Sequence, residues 1–331
     1  MHSDGPYAYA KACGIIGKSF VGKRAALLAG ARTLNELYRL IFPDYFREDA
    51  GNESNAYLPS DMERRIEKRA VDQILKIVNS IDNPPEILIR QLKAFEYTDL
   101  KTCLHHISEG NNTLPNLYDI GRFRTINFKA FPDLNVMLAG TEYEFICSGI
   151  TQPENMDIFR IEVQLDIKYY LGLKKSLDEL SGEDRTLASH ILNEEISLRN
   201  CIWALRLRTY YNKKAPEITE YLTHAEEAKQ SLELPLDTRA DWNGWKWERF
   251  LNPEQSGDHW QLNPRYFQNA AFHYLNRLAL LGFHRIPMSI SSIFCFIKIK
   301  QYEEDFLTSI AEGLSMGIES PDLFKLLEVP V

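Results

Sequence analysis

At 331 residues, with 44% hydrophobic and 25% charged residues, the chain has the composition of an ordinary folded globular protein and room for two or three domains. Its formal net charge of -8 argues against nucleic acid as the main partner, because phosphate binding needs a clustered excess of Lys and Arg. Five cysteines, none in a CxxC pair, offer neither a disulfide framework nor a zinc site and suit reduced thiols.

Residues 1–9 lack the charged start and apolar core of a signal peptide. Helix is predicted over 7–11, running into Ala12-Cys13-Gly14-Ile15-Ile16-Gly17-Lys18-Ser19. That run approaches a phosphate-binding loop, in which backbone N–H groups cradle phosphate and Lys reaches its terminal groups. Ala12 stands where the first Gly belongs, and helix precedes it where the motif requires a strand, so a helix junction is expected. A helix over 25–29 stops at Gly30. Thr33 with Glu36 and Ser60 with Glu63 make capping-box pairs, predicting helices over 34–42 and 61–80 that stop before Pro43 and Pro84-Pro85.

Adjacent His105 and His106 point about 100° apart on a helix, so they read as surface or capping groups rather than a metal site. The strongest periodicity lies over 195–210, where Leu198, Cys201, Ile202 and Leu205 form one apolar stripe. A neighbouring stripe carries Glu195, Arg199 and Arg206, with Glu195 placed to reach Arg199 at i+4. Asp237 and Asp241 flank Arg239 and read as a solvated loop rather than a magnesium site. Trp242, Trp245, Trp247 and Trp260 are four of five tryptophans, and serve either as a partner anchor or as a satellite core. The most apolar run, 286–299, is broken by Pro287, three serines and Lys298, short of the roughly 18 apolar residues a spanning helix needs.

Three stretches resemble one another: those beginning Glu96-Tyr97-Thr98-Asp99, Glu195-Ile196-Ser197-Leu198 and Tyr302-Glu303-Glu304-Asp305, each setting acids ahead of an amphipathic helix. Their leading acids lie 99 residues (195 − 96) and 108 residues (303 − 195) apart. Helical segments over 117–145 and 222–251 follow the first two, while 20–46 completes the third by packing beside the C-terminal helix. The expected fold is therefore all-α, with three helical-bundle modules: 1–46 with 275–331, 47–160, and 161–274. Solenoids repeat at about 20–50 residues, which the spacing near 100 argues against.

In pattern, the chain resembles the family of C subunits of archaeal and bacterial V/A-type ATPases, whose eukaryotic V-ATPase counterpart is called the d subunit. The resemblance rests on Tyr7-Ala8-Tyr9-Ala10-Lys11-Ala12 and Ala25-Ala26-Leu27-Leu28, on Glu195-Ile196-Ser197-Leu198-Arg199-Asn200 running into Leu205-Arg206-Leu207-Arg208, and on Lys300-Gln301-Tyr302-Glu303-Glu304 with Ile310-Ala311-Glu312-Gly313. Ser197 replaces the family's usual Asp, and 241–272 is unusually aromatic. The resemblance implies a funnel of three modules around a pseudo-threefold axis, a socket for the central-shaft subunits of D and F type on the proteolipid ring. It also implies a peripheral position on the cytoplasmic face without lipid insertion, a monomer within a hetero-oligomer, and no cofactor. Arg199, Arg206, Arg208, Trp242, Trp245 and Trp247 are the expected partner-binding residues. No catalytic or metal-binding residues are expected, since the chain has no GxSxG elbow, HExxH helix or Rossmann glycine run. An all-α enzyme with an acid-lined pocket and a generic helical scaffold are the alternatives.

Overall fold

The computed structural model describes residues 5–43, 59–149, 157–224, 227–237, 241–253, 261–319 and 322–324. Among them all regular structure is helical, as expected. The α-helices are α1 (Gly5–Ile16), α2 (Leu34–Ile41), α3 (Pro59–Val78), α4 (Glu86–Ser108), α5 (Leu134–Leu138), α6 (Ile158–Ser176), α7 (Gly182–Tyr211), α8 (Ala215–Thr219), α9 (Lys229–Leu236), α10 (Pro264–Arg285) and α11 (Ile290–Ser315). Short 3-10 turns link several of them.

Two helix starts show how local sequence acts. The Thr33 hydroxyl accepts the Glu36 N–H at 3.2 Å, capping α2 as predicted, while the Glu36 carboxylate takes the Arg32 N–H at 2.7 Å, one residue ahead of the usual box. Ser60 is not a cap. The helix already runs at Pro59, whose fixed φ suits a first helical position, so Ser60 lies inside the first turn. The stretch 25–29 lies in a 3-10 helix, Gly22–Gly30, rather than an α-helix.

The chain forms two compact units, one of Met1–Asn83 with Arg265–Val331 and one of Pro84–Pro264. In the first, α11 is the central element: residues 290–297 are all buried, as an apolar-all-round helix must be. Helices α1, α2 and α3 pack against α11. Met62, Ile66, Ala70, Ile74 and Ile77 line the inward face of α3. A cluster of Leu37, Tyr38, Ile41, Met62, Phe306 and Ile310 joins α2, α3 and α11.

That unit is fastened by a buried carboxylate. Glu303 on α11, 1% exposed, accepts the Phe20 N–H at 2.7 Å and pairs with Lys300 one turn back and with Arg69 of α3 at 3.6 Å. The Lys300 ammonium also donates to the Ser19 hydroxyl at 3.1 Å, which in turn donates to the Ile15 carbonyl. Burial works to raise the Glu303 pKa, but Lys300 and Arg69 hold it below the usual carboxylate range. Burial in turn pulls the Lys300 pKa down, with Glu303 opposing.

In the second unit, α4 packs along α6 and α7 packs against α9. Gly172 of α6 admits the Arg90 side chain of α4, where a Cβ would stand 2.5 Å from the guanidinium. Lys101 and His105 of α4 reach Asp166 and Glu162 of α6 at 2.6 and 3.1 Å. Two buried polar side chains here do what Glu303 does in the first unit. Glu96 of α4, fully buried, accepts the N–H groups of Thr125 and Ile126 at 2.5 and 2.8 Å, the Thr125 hydroxyl at 2.8 Å and the Tyr143 hydroxyl at 3.1 Å. Asn200 of α7 donates to the Thr223 carbonyl at 2.6 Å and accepts the Thr223 N–H at 3.0 Å. A long helix thus holds a loop backbone three times, from Glu96, Asn200 and Glu303, at spacings of 104 (200 − 96) and 103 (303 − 200) residues.

Removing the Glu303 carboxylate leaves Lys300 and Arg69 as buried, unmatched charges. Glu303→Ala is expected to lower unfolding free energy by about 3–5 kcal/mol, read as a fall in urea midpoint with the slope unchanged. A second expectation concerns Asp99 of α4, 2% exposed, which accepts the Tyr118 N–H at 2.9 Å and faces Arg124 at 3.4 Å. Burial pushes its carboxyl up to about 7, against the pull of Tyr118 and Arg124. The folded chain then keeps a proton that the unfolded chain releases above about pH 4, so stability falls as pH rises from there to about 7. Asp99→Asn is expected to flatten that slope in urea titrations at a series of pH values.

Candidate functional site

Helix α7, 30 residues long, carries the predicted partner-binding arginines. Its apolar stripe of Leu198, Cys201, Ile202 and Leu205 is buried, as the spacing requires. The guanidinium of Arg199 pairs with Asp166 of α6 and lies over the Tyr170 ring, 5.1 Å from its centroid. Tyr170 donates to Glu195 at 2.9 Å, so Glu195 and Arg199 share one aromatic neighbour. Desolvation opposes the charge on Arg199, yet Tyr170, Asp166 and Glu195 together raise its pKa. Asp166, bound by Lys101 as well, ties α4, α6 and α7 together.

Arg206 lies half-buried two turns beyond Arg199. Arg208 donates to the Leu234 carbonyl at 3.1 Å and to the Asp237 carbonyl, closing the C-terminal end of α9, where a cation meets unpaired carbonyls and the negative end of the helix dipole. Burial lowers its pKa and Asp237 opposes that. The same guanidinium lies 5.4 Å from the Trp242 ring centroid.

Trp242, Trp245 and Trp247 are 7%, 8% and 1% exposed, which leaves a partner little of their surface to touch. The Trp245 indole N–H donates to the Ser231 carbonyl of α9 at 3.0 Å, and its ring meets Trp242 at 5.2 Å. Trp247 stacks on Phe250 at 5.1 Å, under the Lys246 ammonium that pairs with Glu194 of α7 at 2.7 Å. This is the packing of a core that clamps α9 to α7. Trp260 and Arg239 lie outside the described residues. Arg208, Trp242 and Trp245 are therefore brought together, while Arg199 serves a separate junction with α6.

The other motifs resolve into structural roles. In the run resembling a phosphate loop, the Gly17, Lys18 and Ser19 N–H groups bond to the Cys13, Ile15 and Ile16 carbonyls at 2.9–3.0 Å, so they turn away from any bound anion. The Ser19 hydroxyl belongs to the Lys300 network. His105 meets Glu162, and His106 reaches the Thr113 carbonyl at 3.1 Å. Asp241 accepts the Asn243 N–H at 3.2 Å in its own turn. Among the described residues no group of three or more His, Cys, Asp or Glu gathers as for a metal.

A cleft of ≈ 90 Å³ between α10 and α11 holds His273, hydrogen-bonded to Tyr302 at 2.7 Å, with Asp305 as its one carboxylate. It is far below the roughly 300–1,000 Å³ of a small-molecule pocket. Sequence reasoning missed the loop-holding role of Glu96, Asn200 and Glu303. The first and third head repeated stretches and carry that signal. In the second the loop-holding residue is Asn200, five positions after the acid.

Fold and side-chain geometry define an all-α protein whose buried polar groups fasten its own backbone, with no described helix long and apolar enough to cross a membrane. A family model for the ATP synthase (C/AC39) subunit matches residues 23–321, and the chain belongs to that family of V/A-type ATPase subunits. An uncharacterized protein of Treponema pallidum (strain Nichols) is 26% identical over 322 residues, covering 94% of this chain and 92% of its own. A protein of Methanosarcina mazei, named as the C subunit of an A-type ATP synthase, is 20% identical over 319 residues, covering 88% and 84%.

Because the tryptophans are core, Trp245→Ala is expected to lower stability by about 3–5 kcal/mol. A thermal melt would show it as a fall in Tm with loss of near-ultraviolet tryptophan signal.

Proposed function

We propose that this chain is a non-catalytic central-stalk component of a rotary ATPase, a socket that seats central-shaft subunits of D and F type on the proteolipid ring. The observation carrying the reading is the family match across nearly the whole chain, and the name of the Methanosarcina relative points the same way. The protein works as a monomer within the hetero-oligomer, at the cytoplasmic face of the membrane and peripheral to it. It divides into three modules, each fastened by one buried side chain: Glu96, Asn200 or Glu303.

The physics of the role favours such fastening. A part that transmits torque must be stiff, and helix-to-loop contacts made by buried, satisfied polar groups tolerate little sliding. Of the residues assigned to partner binding, Arg208 and the tryptophans fix the α7–α9 face from beneath and Arg199 fixes α7 to α6, so they act on a bound shaft by holding those helices in place.

Affinity purification of the tagged chain from its own cells in mild detergent is expected to recover shaft, head and ring subunits. Recovery of none of them would overturn the reading. ATP hydrolysis by the isolated chain at a rate abolished by substitutions within it would overturn its non-catalytic part.

A further inference from the structure

Two long stretches of the first unit contain no acid. Residues 5–35 and 265–302 together hold ten Lys and Arg and not one Asp or Glu, in a chain whose net charge is -8. The structure brings their ends together at one corner. The start of α1 abuts the α10–α11 turn, since a Cβ on Gly5 would stand 2.5 Å from the Met288 carbonyl oxygen. Tyr9 of α1 stacks on Phe283 of α10 at 4.9 Å and approaches His284 at 3.4 Å.

The outer face of this corner mixes cations with large apolar groups. On α10, Arg277, Leu281, His284 and Arg285 are all exposed at i, i+4, i+7 and i+8, hence on one side of the helix. On α1, Lys11 stands one turn from Tyr7 with its ammonium 4.3 Å from the Tyr7 ring centroid. Tyr7, Leu281 and Met288 are 59%, 63% and 52% exposed. Met288 adopts φ +63°, a left-handed conformation that favours glycine or asparagine, and still carries a long apolar side chain into solvent. Among the described residues neither Lys11, Arg277 nor Arg285 forms an ion pair.

We propose that this corner rests on anionic lipid headgroups, with its cations at the phosphates and Tyr7, Leu281 and Met288 at the interfacial level, short of the hydrocarbon core. Basic residues beside aromatic and aliphatic ones, with no carboxylate among the described residues of the corner, match an anionic membrane surface in both charge and polarity. A helix start, a helix end and a turn are also the elements that can touch a plane. The membrane setting rests on the function proposed above, while the choice of residues rests on charge and exposure.

The test uses the purified full chain and protein-free vesicles of phosphatidylcholine with or without phosphatidylglycerol, followed by co-sedimentation. Binding is expected only with phosphatidylglycerol and is lost at high salt. Lys11→Glu with Arg285→Glu is expected to weaken it about tenfold or more. Leu281→Ser with Met288→Ser is expected to weaken it also, at an unchanged Tm because both side chains are exposed. Lys23→Glu with Arg32→Glu, exposed cations away from the corner, should leave binding intact. Equal binding to neutral vesicles, indifference to the corner variants, or capture by an acidic peptide or ring protein but not by bare vesicles would each overturn the proposal. A chain that co-purifies with ATPase subunits yet ignores vesicles removes the lipid contact alone. A chain that binds vesicles yet brings down no other part of the ATPase removes the socket reading alone.

Discussion

The hydrogen bond from the Phe20 N–H to Glu303 sets the terms for the whole first unit. It joins residues 283 positions apart and brings the turn after α1 onto α11. A carboxylate buried to 1% is tolerable only because Lys300 and Arg69 answer its charge and Phe20 supplies a donor. Once it is in place, Ser19 is drawn in by Lys300 and Phe20 enters the cluster that α2, α3 and α11 share. Apolar burial supplies most of the stabilisation, as in any domain, but it is non-directional. The carboxylate supplies register.

The second unit uses the same device with different chemistry. Glu96 gathers two backbone donors and two hydroxyls with no cation in the set, and Asn200 serves Thr223 as donor and acceptor at once, as a paired strand would. An amide does this without charge, so it needs no counterion. The three solutions differ in electrostatics and agree in geometry: a side chain on a long helix satisfies a loop that would otherwise bury bare amides.

Much of the fold was legible because helix grammar is local. The stripe of Leu198, Cys201, Ile202 and Leu205 and the Thr33 cap depend on spacing along a few turns, and both stand. Ser60 misled because a capping pair cannot show that Pro59 begins the helix first. The repeats were visible through Glu96 and Glu303, yet their alignment at Glu195 missed the loop-holding residue, because Asn200 is recognised only by its distant partner Thr223. The candidate site was less legible still. Tryptophan reads alike in cores and interfaces, and only the burial of Trp242, Trp245 and Trp247, with the Trp245 bond to Ser231, separates the two. Arg208 was likewise expected to bind a partner, and spacing along its own helix cannot show the carbonyls at the end of α9 that it meets.

The pairing of Phe20 with Glu303 also orders events in time. A ribosome adding about 5–20 residues per second makes Phe20 roughly 15–60 s before Glu303 exists. Throughout that interval α1 to α3 lack the helix against which they pack, while residues 84–264 are synthesised whole and hold both of their own loop contacts. The nascent chain therefore completes its middle first, and its earliest apolar faces wait longest for cover, which places the demand for chaperone protection at the N-terminus.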